Sequence, residues 1–472
     1  MKMMIVGLLV TALSCACISA VQGSDVIVWV TDDTDGANNR TLCEPQISGA
    51  ARTCNFRSAV HYCLEGVPYG TNCQVFFLAN MTITMNPPTI QYHESYFLPA
   101  THMSITGNNT ILLSSPKLVD PFLSFKSRET VINLKDIEIA HFHSEYPLRS
   151  CITIDILSEV LFDGVVFYNN TSVSDGGALL IYKAGKAVFT NSVFVNNTAL
   201  DRGGAVFIEN DNGGGTYFSG CIFTGNEAKG SESSFFGGGG GALYFGGTSE
   251  HAVVDNCTFV SNSVVTYGGA IYYQSGITST LIKTCEFIDN FAAFSGGALF
   301  SLSSGGEFLA YDSIFIGNMA KSSGGATYMY EDDYSVFARC AFLYNWAELN
   351  GGANYYYEFR GSFLVGNVYE GNAARRGGAL HFASFGLSAT VGDCSFYQNE
   401  AEIYGGAIAV DYSIIYPVIA DSEFIENYVT DGYGGAIGLF DANYEPSIWN
   451  CTFIRNTAND GNIFEYFSVY FL

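Results

Sequence analysis

Two short acidic segments carry the side chains best suited to acid–base chemistry. Glu331, Asp332 and Asp333 are consecutive, and Glu358 lies two residues before Arg360. A polysaccharide lyase needs carboxylates that bind Ca²⁺ and a basic residue that removes a proton beside a uronate. Because isolated acidic turns are usually solvated surface, the two segments leave catalysis as an alternative and do not establish it.

The histidines add no support for catalysis. A hydrolase of the polygalacturonase kind needs closely placed aspartates and a His in a Gly-His-Gly setting, and Gly-His-Gly does not occur in the chain. The seven histidines share no position in the repeat described below; they are His61, His93, His102, His141, His143, His251 and His381. The sequence therefore favours binding over catalysis, and it predicts neither a cofactor nor a metal site.

A row of aromatic residues is the strongest candidate for a binding surface. It fills one position in six consecutive repeats, as Phe207, Tyr244, Tyr272, Phe300, Tyr328 and Tyr355. The preceding position is aliphatic in the first four of these, so alternation along a strand predicts that the aromatic row faces outward. Such a row is suited to sugar rings or to a protein partner. The alternatives are stacking that only stiffens the sheet and cover by a loop.

A repeat of about 28 residues positions these side chains, with Phe-x-x-Asn followed by Gly-Gly-Ala as its signature. The Asn of the first motif recurs eleven times, at Asn170, Asn197, Asn226, Asn262, Asn290, Asn318, Asn345, Asn372, Asn399, Asn427 and Asn456. Tyr369 replaces the Phe once. Gly-Gly-Ala starts at Gly176, Gly203, Gly240, Gly268, Gly296, Gly324, Gly351, Gly377, Gly405 and Gly434.

The residues inside one repeat favour strands. Short β-branched and aromatic runs are broken by Gly, Asn and Ser, and no stretch keeps helical spacing for three turns. We predict an all-β fold, a right-handed parallel β-helix (a pectin-lyase-like solenoid) with an N-terminal cap. Equivalent residues then stack along the axis, with Phe in an inner column, Asn in a hydrogen-bonded ladder and Gly-Gly at a sharp corner.

At these motifs the chain resembles the polymorphic outer membrane protein repeat, whose defining pair is Phe-x-x-Asn with Gly-Gly-Ala-aliphatic. The resemblance covers about residues 150–465. It implies a right-handed parallel β-helix exposed on a cell surface, and in the bacterial members the motifs are associated with adhesion to host cells. Those members end in a membrane β-barrel, whereas here the repeats run to the last residues, so we expect no room for one.

The N-terminus is typical of a secretory signal peptide. Lys2 precedes an apolar stretch from Met3 to about Ala20, and small residues follow around Ser19 to Ser24. We expect residues 1–23 to be removed and the mature chain to be secreted or held at the cell surface. No later segment is long and apolar enough for a transmembrane helix, so we expect none after cleavage.

The cysteines fall into two groups. In an oxidising compartment an early cluster predicts two disulfides among Cys43, Cys54, Cys63 and Cys73, with Cys43–Cys54 and Cys63–Cys73 the local choice and the connectivity open. A second group lies two residues before the repeat Phe, where other copies have Ser: Cys221, Cys257, Cys285, Cys340, Cys394 and Cys451. We interpret these as buried thiols.

The segment around Cys54, Arg57 and Ala59 resembles the Cys-Ser-Leu-Arg-Glu-Ala box of secreted β-helix proteins. This resemblance implies an amphipathic helix over the first coil, which would cap an otherwise open sheet edge. Asn-x-Ser/Thr sequons in the cap and first coils make Asn39, Asn80 and Asn108 candidates for N-glycosylation.

Net charge restricts the partners. The chain has 20 Lys plus Arg, 45 Asp plus Glu and a net charge of −25, so nucleic acid and other polyanions are repelled. We predict a signal peptide at 1–23, a disulfide-bearing cap with irregular first coils at 24–115, and repeats at 116–472. The favoured function is an adhesin-like or matrix-binding surface protein that recognises a glycan or a cell-surface protein. The alternatives are a β-helix polysaccharide lyase or glycoside hydrolase, and a non-catalytic structural surface protein.

Overall fold

The chain winds into one long stack of parallel strands. The computed structural model describes residues 25–30, 54–63, 71–85, 90–91, 100–114, 123–126, 131–145, 150–155, 159–209, 214–230, 238–247, 251–302, 306–411, 414–440, 446–459 and 464–467. Every strand pair is parallel and joins neighbouring coils, in sheets of 27, 12 and 14 strands. This is the predicted all-β parallel β-helix.

A regular coil has four short strands. In one coil they are Ser279–Lys283, Glu286–Ile288, Phe291–Ala292 and Leu299–Leu302. We call them the first, second, third and fourth strands. The first and second strands of all coils form the largest sheet, the third strands form the smallest, and the fourth strands form the remaining one.

The strands have the following bounds. The irregular coils at the start of the largest sheet contribute Asp25–Val30, Thr71–Phe77, Thr82–Met85, Ala100–Ser114 and Val131–Ala140. First strands are Glu159–Asp163, Lys186–Thr190, Gly215–Ser219, Ala252–Asp255, Ser279–Lys283, Glu307–Tyr311, Tyr334–Ala338, Ser362–Val365, Ala389–Gly392, Val418–Ala420 and Ser447–Trp449. Second strands are Val166–Tyr168, Val193–Val195, Ile222–Thr224, Thr258–Val260, Glu286–Ile288, Ile314–Ile316, Ala341–Leu343, Val368–Glu370, Ser395–Tyr397, Glu423–Ile425 and Thr452–Ile454. Third strands are His143–Ser144, Thr171–Ser172, Thr198–Ala199, Glu227–Ala228, Ser263–Val264, Phe291–Ala292, Met319–Ala320, Trp346–Ala347, Ala373–Arg376, Glu400–Tyr404, Tyr428–Val429 and Thr457–Ala458. Fourth strands are Ile90–Gln91, Leu123–Lys126, Ile152–Asp155, Leu179–Tyr182, Val206–Glu209, Leu243–Gly246, Ile271–Tyr273, Leu299–Leu302, Thr327–Tyr330, Asn354–Tyr357, Leu380–Ala383, Ile408–Val410, Ile437–Phe440 and Phe464–Phe467.

The Phe of the repeat forms a continuous column inside the coils. Neighbouring rings lie 4.7–5.0 Å apart between centroids with planes within 10° of parallel. The column is Phe167, Phe194, Phe223, Phe259, Phe287, Phe315, Phe342, Tyr369, Phe396, Phe424 and Phe453. This spacing is close to the strand separation in a sheet, so each coil adds one ring to the core.

The repeat Asn forms the predicted ladder, which we call the Asn ladder. Asn318 is typical: its Nδ2 donates to Asn345 Oδ1 and to the Phe287 carbonyl oxygen, both at 2.9 Å. Its Oδ1 accepts from Asn290 Nδ2 at 3.0 Å and from the Asn290 backbone N–H at 3.1 Å. The Asn318 side chain is fully buried. An amide inside the ladder thus makes four polar contacts, which would otherwise be left unpaired in a buried turn.

Gly-Gly forms the corner before the ten fourth strands from Leu179–Tyr182 to Ile437–Phe440. The first glycine has a left-handed backbone, as at Gly296 with φ of 68°. The second touches the next coil: a Cβ on Gly297 would lie 2.0 Å from the Gly325 carbonyl oxygen. Only glycine fits both positions, the first for its backbone angle and the second for its closeness to neighbouring backbone.

The repeat cysteines occupy a polar position at the corner between first and second strands. Five of the six are buried free thiols and Cys451 is half-buried. Cys285 Sγ donates to the Lys283 carbonyl oxygen at 3.2 Å, and the Ser313 hydroxyl one coil on donates likewise to Tyr311 at 2.8 Å. The two side chains serve the same backbone contact, which explains why Cys and Ser alternate there.

The N-terminal segment contains one short helix, α1, at Phe56–His61. The Asn55 side chain caps it by accepting from the Ser58 backbone N–H at 2.8 Å. The Phe56 ring lies 5.1 Å from Phe77 of an early strand, so α1 packs on the first coils. Phe56 through Val60 are all buried. The expected helix over the first coils is therefore present, but five of its six residues are buried, which differs from the amphipathic pattern expected.

The disulfide prediction is confirmed for one pair. Cys63 and Cys73 are bonded, with Cα atoms 5.6 Å apart. Cys54 is also disulfide-bonded. Cys43, its expected partner, lies outside the described residues. Within the described ranges, no helix is long and apolar enough to cross a bilayer.

Candidate functional site

The aromatic row lies on the side of the fourth strands that faces away from the main core. Strand alternation predicted that side correctly, since the rings form a second cluster apart from the main core. Phe207, Tyr244, Tyr272 and Phe300 stack with centroids 5.0–5.1 Å apart. Tyr328 and Tyr355 continue the row edge-on, 4.8 Å apart.

The turn that ends in Gly-Gly covers the row. A Cβ on Gly239 would lie 2.2 Å from the Tyr272 ring, and the Tyr267 ring lies 4.6 Å from Phe300. Phe207, Tyr244, Tyr272 and Phe300 are at most 1 % exposed and Tyr355 is 7 % exposed, while Tyr328 is half-buried. The expectation of a flat outward platform is wrong for these residues, because alternation fixes the side of a strand and does not reveal what packs over it.

Charged groups close both ends of the row. At one end Arg202 forms a bidentate ion pair with buried Asp175, at 2.9 and 3.0 Å, and its guanidinium lies 4.5 Å above the Phe207 ring. At the other end His381 contacts Tyr355 edge-on at 5.3 Å, and its Nε2 lies 3.1 Å from Asp411 Oδ2. The row is thus a closed second core.

Asp411→Asn is expected to reduce the dependence of stability on acid pH. Burial raises the pKa of Asp411. The facing His381, the Tyr404 hydroxyl and Arg376 together lower this pKa by more than burial raises it, so the net pKa lies below the ordinary value. A lowered carboxyl pKa stabilises the fold above the unfolded-state value of about 3.9, and this stabilisation is lost as pH falls through the folded-state pKa.

Thermal unfolding of wild type and Asp411→Asn from neutral to strongly acidic pH tests this. The gap in Tm should be widest at neutral pH and should close at the acid end. Asp393→Asn, at an exposed turn, is the control and should show no such closing gap. A gap for Asp411→Asn that stays constant with pH would contradict the assignment.

A polar cleft opens on the turns that follow the fourth strands. It has a volume of about 600 Å³ and is lined by Glu331, Asp333, Glu358, Arg360 and Phe385. Two of these turns run side by side, since the backbone N–H of Glu331 donates to the Tyr357 carbonyl oxygen at 2.9 Å. Arg360 Nη1 lies 3.6 Å from Asp333 Oδ1. The acidic segments singled out in the sequence therefore meet in one groove.

One aromatic ring, that of Phe385, lines the cleft, and two more directly precede its glutamates in the chain. The Phe385 side chain is 74 % exposed. Tyr330 and Tyr357, the last residues of adjacent fourth strands, stack with centroids 5.3 Å apart and planes 14° from parallel. Burial, followed by the charges of Glu331 and Glu358, raises the pKa of Tyr330 to about 12. The cleft thus combines the apolar face of Phe385 with carboxylates and a guanidinium.

Sequence reasoning found the charged residues of this cleft and missed their grouping. Glu331 and Glu358 are 27 positions apart, one repeat, which would have placed them on adjacent coils. Tyr330, Tyr357 and Phe385 were missed because they lie outside the aromatic row. Tyr330 and Tyr357 lie between that row and the cleft glutamates, since the Tyr330 ring lies 6.2 Å from Tyr328 and the Tyr357 ring 6.4 Å from Tyr355.

The other candidate positions are distributed elsewhere. Asn80 and Asn108 are exposed, with left-handed φ of 60° and 50°, on adjacent coils. Asn39 lies outside the described residues. In the part of the chain that the structure covers, no group of three or more His, Cys, Asp or Glu residues is arranged to hold a metal ion.

Comparison with known proteins agrees with the fold. A family model described as "Right handed beta helix region" matches residues 133–342. The chain is a right-handed parallel β-helix. No curated protein matches this β-helix. A similar solved structure is that of the Streptococcus pneumoniae surface protein and adhesin PfbA, with 12% identity over 83% of this chain and 91% of that one. Its TM-score of 0.36 makes the likeness too weak to bear on what this β-helix binds.

Proposed function

We propose that this protein is a secreted or cell-surface β-helix, adhesin-like or matrix-binding, that holds an extracellular glycan in the cleft of Glu331, Asp333, Glu358, Arg360 and Phe385. The cleft is the observation that carries the proposal, because it groups exposed charged and aromatic side chains in a concave site. The signal-like residues 1–23 and the resemblance to the polymorphic outer membrane protein repeat support a location outside the cell.

The lining has the chemistry that a sugar requires. The C–H face of a sugar ring packs against an aromatic face, here that of Phe385, and its hydroxyls donate to carboxylates and accept from a guanidinium. Of the aromatic row, Tyr328 and Tyr355 contact the Tyr330 and Tyr357 rings, which directly precede the cleft glutamates in the chain. Phe207, Tyr244, Tyr272 and Phe300 act in this proposal by stiffening the wall from which the cleft opens.

Catalysis on a polysaccharide is the second candidate function. It is favoured by one observation, the meeting of three carboxylates with Arg360 in a single groove. Against it, Glu331, Asp333 and Arg360 are exposed, whereas catalytic groups are usually desolvated enough to adjust their proton affinity. Release of unsaturated products or new reducing ends from a bound glycan would establish a lyase or a hydrolase.

Phe385→Ala is expected to weaken glycan binding about tenfold, which corresponds to about 1.4 kcal/mol. The side chain is 74 % exposed, so its removal should leave the fold intact. The measurement is binding of the mature protein to a broad glycan array, followed by a titration with the strongest glycan. Trp449→Ala removes another exposed aromatic side chain, in a later coil, and should bind as wild type does.

Two results would contradict the proposal. Wild-type protein that binds no glycan on the array would leave protein adhesion or a structural role ahead of it. Equal affinity in wild type and Phe385→Ala would place the glycan outside the cleft.

N-glycans on Asn80 and Asn108 belong to the same extracellular proposal. A fall in mass after N-glycosidase treatment of protein secreted from eukaryotic cells tests for them.

A further inference from the structure

The charges that line the cleft do not balance. Three carboxylates face one guanidinium, and that guanidinium lies nearest Asp333, at 3.6 Å. Among the described residues, neither Glu331 nor Glu358 has a lysine, arginine or histidine within ion-pair distance. The cleft therefore has two negative charges for which the described chain offers no counter-charge.

Glu331 and Glu358 also occupy equivalent positions on adjacent coils. Tyr330 and Tyr357 are paired in register, and Glu331 and Glu358 follow them with the same left-handed backbone, at φ of 51° and 55°. Equivalent positions on adjacent coils are about 4.8 Å apart. Like charges on neighbouring side chains repel each other, and a bound cation would remove that repulsion.

The aromatic rings provide a separate indication of the ligand. Tyr330 and Tyr357 stand in a nearly parallel pair directly before the two carboxylates, and Phe385 projects from the next turn with 74 % of its side chain exposed. Aromatic faces attract cations and also pack against the C–H faces of sugar rings. A ligand that is both a sugar and a cation can use the Phe385 ring together with the two glutamates.

Building on the proposed function, we infer that the glycan is amine-bearing, with protonated 2-amino sugars held between Glu331 and Glu358. The net charge of −25 acts in the same direction, because it attracts cationic polymers and repels uronates and sulfated glycans. The amine lies at the two carboxylates, the ring face lies on Phe385, and Arg360 remains paired with Asp333.

A matched pair of ligands tests the inference. Oligomers of β-1,4-linked glucosamine and of its N-acetylated form have the same backbone and length and differ in charge. Titration of each into wild-type protein at mildly acidic pH, where the glucosamine amines are protonated, should show the glucosamine oligomer binding at least about tenfold more tightly. Added salt should reduce that preference.

Matched variants test whether Glu331 and Glu358 cause the preference for the glucosamine oligomer. The double variant Glu331→Gln with Glu358→Gln should abolish this preference while leaving the fold unchanged. Glu286→Gln with Glu307→Gln removes the same charge from exposed positions elsewhere and should keep it. A preference that survives in the Glu331 and Glu358 double variant would overturn the inference.

The remaining outcomes separate the inference from the function on which it rests. Equal binding of the two oligomers, lost in Phe385→Ala, would overturn the amine inference and leave the glycan function standing. A poly-lysine peptide of matched charge that binds as tightly as the glucosamine oligomer would overturn the sugar assignment, because charge alone would then be recognised. If neither oligomer binds, the amine inference fails, and the array result decides the proposed function.

Discussion

Asn318→Ala is expected to lower the free energy of unfolding by about 3–5 kcal/mol, as the sum of several lost buried hydrogen bonds. The substitution removes the four contacts of the Asn318 amide and leaves the Phe287 carbonyl oxygen and the Asn290 side chain without them. Chemical denaturation followed by circular dichroism measures the loss. Hydrogen exchange should show that protection falls first in the coils on either side of Asn318.

Two further variants distinguish loss of the Asn ladder contacts from a nonspecific effect of substitution. Asn318→Asp keeps the size of the side chain and removes both N–H donors of Nδ2, so it should destabilise the protein at least as much as Asn318→Ala at neutral pH. Met319→Thr changes the next residue, which is 41 % exposed, and should cost less than about 1 kcal/mol. A loss for Asn318→Ala no larger than that for Met319→Thr would show that the Asn ladder does not hold the coils together.

Gly297→Ala is expected to be the more damaging substitution, with a loss of more than about 4 kcal/mol or failure to fold. A Cβ there would lie 2.0 Å from the Gly325 carbonyl oxygen and 2.6 Å from the Met319 backbone nitrogen. Both obstacles are backbone atoms, so relief requires the coils to separate. The readout is the yield of folded protein together with its denaturation midpoint.

Gly392→Ala is the matched control, because it makes the same chemical change in a first strand of a later coil. A Cβ on Gly392 meets no atom within 4 Å. We expect a change within about 0.5 kcal/mol, because replacing a strand glycine also reduces the freedom of the unfolded chain. Similar losses for Gly297→Ala and Gly392→Ala would contradict the close contact assigned to the second glycine.

The architecture could be predicted because the same pair of motifs recurs in many copies along the chain. A period of about 28 residues with strand-like runs leaves few folds open, and stacking then assigns Phe, Asn and Gly-Gly to the core column, the Asn ladder and the corner. The alternation of Cys and Ser at one position likewise predicted buried thiols, and five of the six repeat cysteines are buried. That Cys285 and Ser313 make the same backbone contact is seen only in the structure.

The exposure of side chains could not be predicted in the same way. Alternation placed Tyr272 on the side away from the core, but the Gly-Gly turn of the preceding coil lies directly on its ring. That contact depends on how far a turn folds back, which no local pattern encodes. The extent of burial of helix α1 was not predicted for a similar reason, since it depends on contacts with residues outside the helix.

The cleft could be predicted from the sequence in part. Its charged residues were visible, and the period contained enough information to bring Glu331 and Glu358 together. Phe385 could not have been assigned, because it lies in a turn without a repeat signature. Its exposure follows from the backbone path after the fourth strand Leu380–Ala383.

Hydrogen–deuterium exchange of the mature protein, with and without the strongest glycan from the array, tests whether the glycan binds in the cleft. We expect the glycan to slow exchange in peptides covering residues 328–333, 355–361 and 383–387, and to leave exchange in those covering 239–273 unchanged. Slower exchange confined to 239–273, with none around the cleft, would contradict it and return the binding site to the aromatic row.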